Sequence, residues 1–116
     1  AKEFEDKDFE LSGELLYNFF VWYENEPKVC YYCDLEESKL EELRQLPGHI
    51  NKRYPKRGKS LEIDRKESGE PYSDTKNLVL ACYWCNNAKT DTFSAEEFES
   101  VGKEIKKIWQ KRLNKK

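Results

Sequence analysis

With 116 residues, 38% of them charged and only 37% hydrophobic, the chain has material for one domain with one modest core. No apolar run approaches the ~20 residues that cross a bilayer, so no stretch here reads as a membrane-spanning helix. The first ten residues are acidic, not basic and then apolar, so no secretory leader is read and a reducing, cytoplasmic setting is expected.

The formal net charge of −2 conceals an asymmetry. Residues 1–48 carry five basic and thirteen acidic side chains, whereas residues 49–116 carry sixteen basic and ten acidic. Lys52, Arg53, Lys56, Arg57, Lys59, Arg65 and Lys66 crowd one stretch, and Lys103, Lys106, Lys107, Lys111, Arg112, Lys115 and Lys116 close the chain. Scattered surface charge is ordinarily only solvated, but clusters of one sign suit a polyphosphate partner.

In chain order, residues 1–11 read as an acidic lead-in. Ser12 is placed to cap a helix to about Asn25, where Pro27 ends the pattern. Its Leu15, Leu16, Phe19, Phe20, Trp22 and Tyr23 predict a broad apolar face and a main core element. Cys30-Tyr31-Tyr32-Cys33 follows, and Asp34 is then expected to cap a second helix over residues 36–46, with Leu40, Leu43 and Leu46 inward. Residues 48–60 read as a basic loop. Residues 61–64 alternate apolar and polar as a short strand does, and residues 78–81 predict a second strand pairing back on the first. Cys82-Tyr83-Trp84-Cys85 opens a short helix to about Lys89. Ser94-x-x-Glu97 is a capping box for a C-terminal amphipathic helix carrying Phe98, Val101, Ile105, Ile108 and Trp109.

Two Cys-x-x-Cys pairs, with no fifth cysteine, offer four soft ligands for a closed, tetrahedral structural Zn²⁺ at Cys30, Cys33, Cys82 and Cys85. Two disulfides are the alternative, but neither pair sits in the strand–helix setting of a redox motif. Between the pairs, Asp64 leaves one strand, Asn77 begins the next and Asn86 lies in the following helix. A carboxylate and an amide oxygen brought together there suit a hard divalent cation such as Mg²⁺. Taken singly, each of the three is an ordinary surface, turn or cap residue.

As a set, Cys30-x-x-Cys33, Leu61-Glu62-Ile63-Asp64-Arg65-Lys66 and the run from Asn77-Leu78 to Cys82-x-x-Cys85-Asn86-x-x-Lys89 resemble the HNH endonuclease family, the zinc-stapled branch of the ββα-metal nucleases. The resemblance spans about residues 28–98. It implies an α+β fold, a small ββα-metal (HNH) core with a four-cysteine structural zinc and flanking helices. The single domain, 1–116, then divides into an N-terminal helical extension (1–27), the zinc and ββα-metal core (28–92) and the C-terminal helix (93–116). By the same resemblance Asp64 and Asn86 hold a catalytic Mg²⁺ or Mn²⁺, Asn77 braces the loop behind the catalytic strand, and Lys89 reaches phosphate. The implied activity is metal-dependent hydrolysis of DNA phosphodiester bonds, with Lys52, Arg53, Lys56, Arg57 and Lys59 along the DNA.

One position departs from the family pattern. The residue after the metal-binding Asp is normally a general-base His and here is Arg65, a guanidinium that stays protonated but can stabilise charge on phosphate. The base then falls to His49, the one histidine, or to Tyr54 or Tyr72, with Glu62 assisting. The missing His also admits a catalytically silent zinc module that binds nucleic acid. The acidic N-terminal half admits a zinc-stabilised protein-interaction domain. Oligomeric state is left open, a homodimer among the options.

Overall fold

A computed structural model of the chain describes residues 13–47, 55–67, 69–71 and 74–114. Ser12, His49, Lys52, Arg53, Tyr54 and Tyr72 lie outside the described residues. Helix α1 spans Gly13–Asn25. A 3-10 turn at Glu37–Lys39 runs into the short α2, Leu40–Arg44. Strands β1 (Glu62–Arg65) and β2 (Leu78–Ala81) form an antiparallel pair in the register Glu62–Ala81, Ile63–Leu80, Asp64–Val79 and Arg65–Leu78. Helices α3 (Tyr83–Lys89) and α4 (Ala95–Asn114) follow. This is a small α+β fold whose β1–β2–α3 unit has the ββα-metal layout. Among the described residues no helix is long and apolar enough to cross a membrane.

The core gathers around the cysteines, with Leu35, Leu40, Leu43, Ile63, Leu78, Leu80 and Phe98 packed about them. On α1 only Phe19 is buried, while Tyr17, Phe20 and Val21 stand exposed, so this helix flanks the core and does not build it. The second helix is shorter than its leucine spacing suggests. Asp34 does not cap it: with φ of 61° it closes the first cysteine turn, a left-handed conformation that Asp tolerates, and its carboxylate takes Lys106 Nζ at 2.7 Å.

The capping box of α4 forms as its sequence dictates: Ser94 N donates to Glu97 Oε1 at 3.0 Å and Glu97 N donates to Ser94 Oγ at 3.2 Å. The inward stripe, however, runs through Phe98, Gly102, Ile105, Trp109 and Leu113, leaving Val101 and Ile108 exposed. Gly102 explains the rotation. A Cβ there would lie 2.5 Å from the Tyr32 carbonyl oxygen, so the missing side chain lets α4 press on the backbone of the first cysteine turn. Gly102→Ala gains roughly 0.8–1.0 kcal/mol of helix propensity. It is nevertheless expected to lower stability by about 1–3 kcal/mol, because the obstacle is backbone and not a flexible side chain. Thermal melting of the metal-loaded protein checks this, and an unchanged melting temperature would mean that α4 shifts without cost.

Candidate active site and metal centre

The two cysteine turns meet at one point. All four Sγ atoms lie within 4.8 Å of one another, and Cys33 and Cys82 are 3.7 Å apart. A tetrahedral four-sulfur site with metal–sulfur bonds near 2.3 Å places sulfurs about 3.8 Å apart, so the cluster has the size of a metal site and not of an S–S bond. Local structure builds each half. Cys30 N donates to Leu35 O at 2.8 Å and Asp34 N to Cys30 O at 3.0 Å, while Tyr31 N donates to Leu80 O at 2.8 Å and ties the turn to β2. Cys82 is the N-cap of α3, and its Sγ accepts from Cys85 N at 3.4 Å. The thiols of Cys82 and Cys85 are pushed up, first by hydrogen bonding with Cys30 and Cys33 and then by burial. A bound cation reverses that balance by favouring thiolate.

Beside this centre, helix α3 lies across one face of β1 and makes two cross-links. Residues two apart on a strand share a face, and residues three apart on a helix share a side. Glu62 and Asp64 therefore meet Asn86 and Lys89. Asn86 Nδ2 donates to Glu62 Oε1 at 2.8 Å. Lys89 Nζ donates to Arg65 O at 2.9 Å and lies 3.5 Å from Asp64 Oδ2. Tyr32 Oη donates to the same Oδ2 at 2.5 Å.

Asp64 is 6% exposed, and burial raises its pKa while Tyr32 and Lys89 pull it back down. Burial, then the neighbouring Asp64, raises the Tyr32 phenol, which keeps it a proton donor. Among the described residues no donor reaches Asp64 Oδ1 or Asn86 Oδ1. A carboxylate oxygen and an amide oxygen with lone pairs to spare are the donor chemistry that suits a hard cation such as Mg²⁺ or Mn²⁺.

Asn77 contacts main chain and acts as a brace. Its Oδ1 accepts from Glu67 N and its Nδ2 donates to Glu67 O, both at 3.0 Å, while Lys66 N donates to Asn77 O at 2.8 Å. The start of the loop after β1 is thereby tied to the residue that opens β2. Arg65, half-buried, donates from Nη1 to Glu70 O at 3.1 Å.

Lys89 is not at a phosphate-facing surface. It is 1% exposed, because its charge is used internally on Asp64 and on the β1 backbone. Arg57 is exposed like Lys56 and Lys59, but its guanidinium is engaged on Glu62 and lies 4.5 Å from the Tyr83 ring. The placement of His49, Lys52 and Arg53 lies outside the described residues. Tyr32 is the site residue that sequence reading passes over. Its signal is slight, a tyrosine inside the first Cys-x-x-Cys spacing.

No protein-family model and no curated protein matches the chain. A solved structure does: that of the rare-cutting HNH restriction endonuclease PacI, at 35% sequence identity and a TM-score of 0.64. The match covers 82% of this chain and 63% of the PacI chain, so the chain spans less than two thirds of that protein's length. The ββα layout, the four-cysteine cluster and this likeness agree that the chain has an HNH ββα-metal fold and resembles the HNH endonucleases.

Proposed function

We propose that the protein is a metal-dependent endonuclease that hydrolyses phosphodiester bonds in DNA. The observation that carries this reading is the pair of available oxygens, Asp64 Oδ1 and Asn86 Oδ1, on two elements packed against each other. Asp64 and Asn86 hold the catalytic cation, which when bound supplies Lewis-acid polarisation of the phosphate. Tyr32 and Lys89 keep Asp64 oriented and ionised. Arg65 stabilises charge that develops on the phosphoryl oxygens, and Asn77 keeps the strand end in place. Lys56 and Lys59, with Lys52 and Arg53, contact the DNA backbone, and His49 is the candidate base. Zinc at Cys30, Cys33, Cys82 and Cys85 is structural. The description of PacI as a restriction endonuclease that perturbs DNA supports DNA as the substrate class.

Arg65 in place of a His favours one second reading, a silent module that binds DNA without cutting it. Supercoiled-plasmid cleavage with Mg²⁺ or Mn²⁺ separates the two. Asp64→Asn, which keeps an acceptor for Tyr32, is expected to slow cleavage about 10²- to 10³-fold with zinc content preserved and the protein still folded at the assay temperature, although its melting temperature falls because Lys89 loses its buried partner. A wild-type protein that shifts DNA on a gel but never nicks it would establish the silent module.

A further inference from the structure

The Asn86 amide is oriented by a contact outside the donor set. Glu62 is buried, its side chain 11% exposed, and Arg57 grips both of its oxygens: Nε to Oε2 at 2.8 Å, Nη2 to Oε1 and to Oε2 at 2.7 Å each. The guanidinium rests on the Tyr83 ring, 4.5 Å from Cζ to centroid, on the first turn of α3. Both carboxylate oxygens accept from Arg57 and present lone pairs to their other neighbours. Asn86 must therefore present Nδ2 to Glu62, as it does at 2.8 Å, and its Oδ1 is turned away from that carboxylate. Without this contact the amide is not held oxygen-outward before the cation arrives, and turning it costs part of the cation's binding energy.

We infer that Glu62, clamped by Arg57, is a positioning residue that fixes the Asn86 amide with its oxygen toward the catalytic cation. The inference rests on the endonuclease reading, since it gives Asn86 Oδ1 the cation as its partner. It makes Glu62 more than an ion pair bridging β1 and the loop before it.

Glu62→Gln is the discriminating substitution. It is nearly isosteric, so packing is kept. Arg57 draws the glutamine oxygen to itself, and the glutamine N–H₂ then faces Asn86 and favours the inverted amide. Mn²⁺ binding, followed by electron paramagnetic resonance of the free ion on zinc-loaded protein without DNA, is expected to weaken about 10- to 100-fold. The melting temperature should stay near wild type, and the side-chain ¹⁵N resonance of Asn86 should shift. Because Glu62 acts through Asn86, Glu62→Gln should add nothing to Asn86→Ala. If Glu62→Gln binds Mn²⁺ as wild type does, or if its effect multiplies with that of Asn86→Ala, the positioning role is overturned and the endonuclease reading stands. If Mn²⁺ binding to wild type is unaffected by both Asp64→Asn and Asn86→Ala, the cation site itself is wrong and both readings fall.

Discussion

Stripping the metal from the four-thiol centre is expected to unfold the domain, not merely to loosen it. The cysteines are 0–1% exposed and sit at the middle of the apolar cluster. They join two turns 49 residues apart in sequence, so the centre replaces the long-range apolar packing that a composition with 38% charged residues supplies poorly. A structural zinc is worth roughly 10–16 kcal/mol of apparent binding energy in small zinc domains, comparable to the whole stability of a typical domain, about 5–15 kcal/mol. Once the cation leaves, hydrogen bonding with Cys30 and Cys33, and then burial, keep the Cys82 and Cys85 thiols protonated, and the cluster loses the attraction that held the two turns together. Chelation should therefore abolish near-ultraviolet circular dichroism and the cooperative melt, with one zinc per chain released. Cys82→Ser should do the same, since it also replaces the sulfur that accepts the Cys85 N–H at the start of α3. A chain that keeps its melt after complete stripping would place its stability in the apolar core and leave the thiols without a structural role.

What is legible in the sequence is whatever the chain encodes locally. Strand β2 needs only four consecutive apolar residues, and all four are buried. The Ser94 and Glu97 box is a three-residue spacing, and the Asn77 brace spans ten residues of one hairpin. The contacts that set the site's electrostatics are of another kind. Tyr32 reaches Asp64 across 32 positions because the cysteine cluster gathers the first turn against the sheet, and Lys89 reaches it across 25 because α3 packs on β1. Nothing in the local spacing of either residue announces an inward direction. The exposed side of α1 escapes a sequence reading for a related reason: its aromatics follow a helical period, but period alone does not say what lies opposite. Gly102 carries its information as an absent side chain, which hydrophobic periodicity does not register.

Lys89→Met is expected to cost about 3–5 kcal/mol, the usual penalty for removing one partner of a buried charge pair. The loss has two parts. The Arg65 carbonyl loses a donor at 2.9 Å, and Asp64, already raised by burial, loses a cation that lowers it. Asp64 then takes up a proton more readily, which also removes the negative charge that would hold the catalytic cation. Adding Asp64→Asn to Lys89→Met relieves the unpaired carboxylate. The double variant should therefore lose less stability than the two single losses combined, with a coupling of about 1–3 kcal/mol. Urea unfolding of the zinc-loaded proteins measures all four corners of the cycle. The opposite assignment, Lys89 as a phosphate contact, predicts another pattern: stability within about 0.5 kcal/mol of wild type and a salt slope of DNA binding smaller by about one. At 1% exposure Lys89 has no route to a phosphate short of leaving Asp64, so the burial of this one side chain makes it part of the site's internal charge balance.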